Sequence, residues 1–366
     1  MTSKERVRCV LHREKPDRVP INYSANPGIQ ARLIEYYGLR KNDIAGLRAR
    51  LGVDFRAVGT AYTGHALHSE RPDRLVNPMY GFIKRKVEHE SGYYWDYCDF
   101  PLEFATIDEV AAWPMPDPDD FNYDSLDGQI KAHDGYAIYL GNPGIGCVIN
   151  NAGFFRGMEQ VFVDLITDDD AGLLLIDRFI NNQFAKLERE LDAIEKTAKK
   201  LGKRLNEVLD FVWMGEDLGT QHSPLISMYT LKKHILPRQK PFFDLCGMYD
   251  VPVMLHTCGS SSWAYDEYIK LGLSGVETLQ PEAADMSPSF LKKKFGGRLF
   301  FHGCISTAGA LAYGSVDDTV KICTETLEIM KPGYEYCFAP THDLQDNTPV
   351  ENVIAAYDTA RRIGVY

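Results

Sequence analysis

The chain has no run of about 18 consecutive apolar residues, so no segment reads as a membrane span. It has no surplus of positive charge. Its 40 Lys and Arg stand against 51 Asp and Glu, a formal net charge of −11, which argues against a nucleic-acid partner. It has no disulfide framework. The eight cysteines, at positions 9, 98, 147, 246, 258, 304, 323 and 337, are scattered without regular spacing, as expected for reduced thiols in a cytoplasm. The opening MTSKERVRCVLHREKPDRVP lacks the apolar core of a signal peptide. Low-complexity tracts and long linkers are missing too. The one glycine-rich stretch, GNPGIG at 141–146, fits neither the dinucleotide nor the Walker pattern and reads as a loop.

What is present is a regular alternation of strand-like and helix-like segments. Strand candidates are residues 18–23 (RVPINY), 54–60, 137–140, 210–214, 251–256, 275–279, 298–302 and 335–339. Helices are expected over 154–165, 171–201, 229–248, 261–271, 287–295, 316–330 and 350–363. About eight strands alternating with helices fit a (β/α)8 TIM barrel, a fold of ~250 residues plus insertions. The expected architecture is a single domain over 1–366, with an N-terminal extension and a β-hairpin-type insertion. A doubly wound open sheet is the runner-up, but it would want a phosphate-binding loop after its first strand.

A barrel of this type carries its chemistry at the C-terminal strand ends. The polar residues Asn142, Glu216, His256, Gln280, His302 and His342 collect there. The sharpest feature is VPVMLHTCGS at 251–260. His256 and Cys258 stand two apart at the end of an apolar run, so in extended chain they leave on one face. An imidazole and a thiolate together make half of a zinc site. The competing reading is a buried core histidine and a buried core cysteine. Two further runs end similarly, in His302-Gly303-Cys304 and in Pro340-Thr341-His342. His302 is read as a donor into the barrel mouth, and Cys304 as a second-choice ligand. Glu216 and Asp217 either cap the helix that follows or serve the site as ligands, acid/base groups or supports of a ligand histidine. Asn142 and Gln280 are candidates for contacting a cofactor.

Several of these segments together resemble the uroporphyrinogen decarboxylase superfamily. They are Thr2–Val7 with Lys15–Pro20, then Gly215-Glu216-Asp217-Leu218-Gly219-Thr220-Gln221 and His256-Thr257-Cys258-Gly259-Ser260. Phe301-His302-Gly303 and Thr348–Val353 complete the set. The resemblance spans nearly the whole chain and implies a (β/α)8 barrel. True decarboxylases of the superfamily carry an arginine-rich segment after the first strand. Here INYSANPGIQARL at 21–33 offers only Arg32, too little cation for an eight-carboxylate tetrapyrrole. The HxCG motif is instead similar to that of the zinc-dependent, corrinoid-linked methyltransferases. That resemblance implies zinc on His256 and Cys258, and it aligns His342 with a third ligand that is a cysteine in several members. The APTH…Q…TP.EN segment looks more like the branch acting on methoxylated aromatics.

The function expected from this is methyl transfer between a small-molecule donor or acceptor and the cobalt of a corrinoid (cobalamin). The corrinoid is carried by a partner protein, because the chain is too short to hold a corrinoid domain beside a full barrel. Metal ligands would be His256, Cys258 and His342, with Glu216, Asp217 and His302 as catalytic groups. The alternatives are a metal-free decarboxylase of the same superfamily and a non-catalytic tetrapyrrole-binding protein. Oligomeric state is left open, a homodimer included. Tyr62, Phe82, Tyr93, Tyr94, Trp95 and Tyr97 read first as a hairpin packed on the barrel and second as a lid over an aromatic substrate.

Overall fold

The computed structural model describes residues 1–89 and 92–366. Its strands are β1 (Phe55–Val58), β2 (Leu75–Val76), β3 (Ile83–His89), β4 (Gly92–Cys98), β5 (Ala137–Gly141), β6 (Phe211–Gly215), β7 (Val253–His256), β8 (Leu273–Leu279), β9 (Phe300–Ile305) and β10 (Tyr336–Pro340). Seven of them form one parallel sheet in the order β1-β5-β6-β7-β8-β9-β10. Neighbours in the sheet are neighbours in sequence, which is the mark of βα units wound in one direction. The sheet curls and is completed by residues 20–22. Phe338 N donates to Pro20 O and Asn22 N to Phe338 O, both at 2.9 Å, while Asp54 N donates to Ile21 O at 2.9 Å. The segment RVPINY thus sits between β10 and the start of β1, and the fold is a TIM-barrel-like α/β ring.

Alternation along the strands sorts the core into two layers. Phe55, Ala137, Phe211, Met254, Phe300 and Cys337 come one from each of six strands and cluster together. Val7 and Val10 of the helix Ser3–His12 join them and plug the lower end. The next residue in each strand, such as Val212, Leu255, Val276 or Phe301, packs outward in the larger cluster shared with the helices. In β8 the inward position is Gly275, where a Cβ would lie 2.2 Å from the Phe300 ring. Large and small residues therefore interlock across the interior.

Several expectations are corrected in detail. The helix expected over 154–165 is two helices, Ile149–Arg156 and Met158–Thr167. Gly157 lies between them at φ 76°, a conformation that ends the helical ladder and that glycine adopts without strain. The strand expected over 298–302 runs to Ile305, so His302 and Cys304 lie inside it. The hairpin insertion carries a third strand, in the order β2-β3-β4. Its Tyr97 stacks on Phe154 at 3.7 Å between centroids, and Phe82 packs on Phe154 and Phe155. Tyr93, Tyr94 and Trp95 are exposed, and none of the hairpin aromatics lines the cavity at the barrel mouth. All eight cysteines are unpaired. Among the described residues no helix is long and apolar enough to cross a membrane.

Candidate metal centre at the barrel mouth

The inward alternation that begins with Met254 puts His256 in the next inward position of β7. In parallel register His256 pairs with Glu277 of β8, and Glu277 with His302 of β9. Three ionisable side chains therefore form one rung across adjacent strands, above the apolar layer. The chain then turns at Gly259, φ 67°, where a Cβ would lie 2.4 Å from the Gly219 carbonyl oxygen. Only glycine lets the two loops approach this closely. Cys258 is thereby folded back over His256, with its Sγ 3.4 Å from His256 Nε2.

Asp217, just past β6, completes the group. The ligand atoms of Asp217, His256 and Cys258 all lie within 4.8 Å of one another. Asp217 is held by two hydrogen bonds. Cys258 N donates to its Oδ1 at 2.9 Å and Asn150 Nδ2 to its Oδ2 at 2.7 Å. One nitrogen, one sulfur and one oxygen donor suit zinc, which in catalytic sites takes three protein ligands and keeps one position open.

The other side of His256 faces Glu277. The carboxylate Oε2 lies 2.5 Å from His256 Nδ1, and Thr278 Oγ1 donates to the same Oε2 at 2.6 Å. Burial opposes the charge on both partners. Their mutual attraction outweighs it, holding Glu277 below the usual carboxylate range and raising His256 well above the usual histidine value. A carboxylate on the nitrogen remote from the metal position is a common support of ligand histidines, fixing the ring's orientation and tautomer. Burial pushes the Cys258 thiol up, and His256 works against that.

The backbone here is strained. Thr278 has φ 63°, an outlier for a β-branched residue. Such conformations cost roughly 1–3 kcal/mol and are concentrated at functional sites. The strand register shifts between Glu277 and Leu279. Across the seam, Gly303 and Cys304 also have positive φ, at 128° and 65°.

A cavity of about 200 Å³ opens on the rung. Trp213, Pro143, Ala339 and Pro340 give it apolar walls, and Asn22–Ser24, His342 and Asp343 form its rim. Among the described residues no Lys or Arg lines it. His302 is buried in the wall. Asn22 Oδ1 accepts from Tyr23 N at 2.9 Å, so the Asn22 amide nitrogen, 3.0 Å from His302 Nε2, donates to it. Burial lowers the pKa of His302, and its ring is neutral.

The remaining residues singled out in the sequence fall elsewhere. His342 lies exposed on the rim, outside the Asp217–His256–Cys258 group. The polypeptide carries it past β10, whereas the turn after β6 brings Asp217 in. Cys304 is buried in β9, its pKa raised by desolvation, and is not part of the group either. Glu216 does not line the cavity. It is fully buried and accepts from Val148 N at 2.7 Å and Ile149 N at 3.1 Å, capping the helix Ile149–Arg156. Asn142 is exposed and accepts from Gly144 N at 2.8 Å, closing an Asx turn. Gln280 accepts from Gly259 N at 2.6 Å and braces the Cys258 loop. The residue that sequence reasoning missed is Glu277. Its one signal was a carboxylate at an inward position of the apolar run GVETL.

The sequence model of the uroporphyrinogen decarboxylase (URO-D) family matches residues 217–363. That segment holds Asp217, His256, Cys258, Glu277 and His302, and over it the superfamily resemblance read from the sequence is borne out. The fold is similar to that of a solved methyltransferase from Methanosarcina mazei, with a TM-score of 0.59, 15% identity and 99% of each chain covered. At that identity the likeness speaks for the fold alone. A D-psicose 3-epimerase solved in the presence of D-fructose is far less similar, with a TM-score of 0.36, 10% identity, 70% of this chain and 87% of that chain covered. No curated protein matches the sequence.

Proposed function

We propose that the chain is a zinc-dependent methyltransferase. In this reading it moves a methyl group between a small donor, a methoxylated aromatic, and a corrinoid carried by a separate protein. The observation that carries the reading is the Asp217–His256–Cys258 group, whose His256 lines a small cavity that has no Lys or Arg among the described residues. A metal-free decarboxylation of a porphyrinogen is disfavoured by the same cavity. A tetrapyrrole with several carboxylates needs far more room and cationic partners. Protein cavities of ~150 Å³ hold a benzene ring, so about 200 Å³ fits one substituted ring.

Asp217, His256 and Cys258 would hold the metal. When bound, zinc supplies Lewis acidity, which makes the oxygen of an aryl methyl ether a better leaving group. The residues of the chain have separate tasks. Trp213 and Pro340 offer flat apolar faces to the ring. Glu277 holds the His256 imidazole in place. The neutral His302 forms a polar wall without adding charge. Pro143 and Ala339 narrow the cavity and exclude water. The open mouth is where a corrinoid protein would dock.

The test mixes purified protein, zinc, reduced corrinoid protein or cob(I)alamin, and a panel of methyl donors, and follows the cobalt absorbance. Methylcobalt formation that needs both the protein and zinc is expected, fastest with methoxylated aromatics. No methylation with any donor, together with carbon dioxide release from uroporphyrinogen, would reverse the choice.

A further inference from the structure

We infer that Thr278 is a positioning residue of the metal centre, and that its left-handed backbone exists to put two oxygens on one nitrogen of His256. The inference rests on the reading of His256 as a zinc ligand.

In a regular strand, adjacent side chains point to opposite faces. Glu277 and Thr278 are adjacent in β8, yet both reach His256. The Thr278 hydroxyl is 2.8 Å from His256 Nδ1 and the Glu277 carboxylate 2.5 Å from it. Such convergence requires the alternation to be broken between them. The break is visible as φ 63° at Thr278 and as the register shift between Glu277 and Leu279. Bulges next to active sites re-aim side chains in this way. Thr278 is fully buried, and its hydroxyl donates to Glu277 at 2.6 Å. Its lone pairs are left for the His256 Nδ1–H. A ring gripped by two acceptors on Nδ1 keeps its Nε2 lone pair turned towards Cys258 and Asp217. The partner strand accommodates the kink at the same level. Leu279 pairs with Gly303, where a Cβ would lie 3.2 Å from Leu279 N.

The experiment measures zinc affinity of the full chain by competition with a chromophoric chelator. Thr278→Val keeps the branched shape and removes the hydroxyl; Thr278→Ala removes both; Thr278→Ser keeps the hydroxyl. Loss of a supporting hydrogen bond behind a ligand histidine typically costs about 10–100-fold in metal affinity. That loss is expected in T278V and T278A, with T278S within about threefold of the unaltered chain. Cobalt substitution adds a spectroscopic readout: the visible bands of T278V should shift and those of T278S should not. If either hydroxyl-free variant folds and binds zinc as tightly as the unaltered chain, the inference falls. It falls equally if T278S binds as weakly as T278V. His256→Ala separates the two readings. If it loses zinc while T278V keeps it, only the role of Thr278 is wrong. If it binds zinc like the unaltered chain, the metal site itself is wrong.

Discussion

The two ends of the barrel use the same residue type in opposite ways. At the lower end, buried carboxylates sit just before three strands, and each meets permanent cations. Asp54 pairs with Arg6 at 2.7 Å and Arg18 at 2.8 Å. Asp210 pairs with Lys4 and Arg8, both at 2.7 Å, and Glu335 with Lys292 at 2.6 Å. Lys4, Arg6 and Arg8 all come from the helix that plugs this end. At the upper end, Asp217 and Glu277 form ion pairs only with His256 among the described residues. The lower carboxylates are neutralised by the polypeptide once and for all. The upper ones face groups that can give up a proton, which is what a metal site needs from its ligands. Stability is built at one end, and the candidate site lies at the other, where this fold generally carries its chemistry.

The largest expected effect of breaking that division is at the top. Cys258→Ala and Asp217→Ala should each reduce zinc from about one per chain to near none, and abolish methyl transfer. Elemental analysis and the cobalt assay check this, while the thermal midpoint of metal-free protein should stay within about 2 °C. A Cys258→Ala chain with full zinc and turnover would mark the thiol as ordinary core. The mirror experiment is Asp54→Ala at the bottom. It leaves Arg18 without its carboxylate, while Arg6 keeps Asp17 at 2.6 Å, and should cost ~3 kcal/mol in urea unfolding, leaving the zinc affinity of the folded fraction unchanged.

Glu216 tests the boundary between the two ends, because it sits at the top yet serves the fold. Burial raises its pKa from 4.5 to about 8. The folded chain therefore keeps a proton that the unfolded chain releases above pH 4.5. Stability from this group is complete below pH 4.5 and is lost as pH rises to about 8, a decline on the order of 3–5 kcal/mol. In metal-free protein, Glu216→Gln should flatten that decline, as read from urea midpoints across the range. An unchanged slope would place the pH dependence elsewhere. The smallest effects are expected from His342→Ala and Cys304→Ala, which should leave zinc affinity within about threefold. If His342→Ala releases the metal, the rim histidine closes onto the site when zinc binds.

The sequence made legible what depends on period and spacing. VPVML followed by His256-Thr257-Cys258-Gly259 reads as a strand with two candidate ligands on one face; the strand ends at His256, and the turn at Gly259 folds Cys258 back over it. The superfamily likeness supplied the barrel, and with it the mouth as the place for chemistry. What depends on a break in the period was hidden. Nothing in GVETLQ announces that Thr278 has φ 63°, so its contact with His256 could not be read, whereas Glu277 stood at an inward position and was passed over. Glu216 and Asp217 looked equivalent as neighbours at a strand end. Adjacent residues part company there, one under the helix Ile149–Arg156 and the other towards Cys258. His342 stood out because its loop is polar, but polarity does not say how far a loop reaches.

The closing of the ring by residues 20–22 sets an order of assembly. That segment finds its partner in Phe338, and its neighbour Ala25 bridges to Leu344. The cavity rim is made of the same pieces, Asn22–Ser24 on one side and Pro340–Asp343 on the other. During synthesis the early segment can meet Asp54 beside β1 soon after it is made, but its other edge must wait for Phe338 and Leu344. Contacts this far apart in sequence form late and slowly. The Asp217–His256–Cys258 group can gather earlier, since its residues are closer together in the chain. The group can thus be in place before the cavity beside it is closed, and the rim is the last part of the mouth to form.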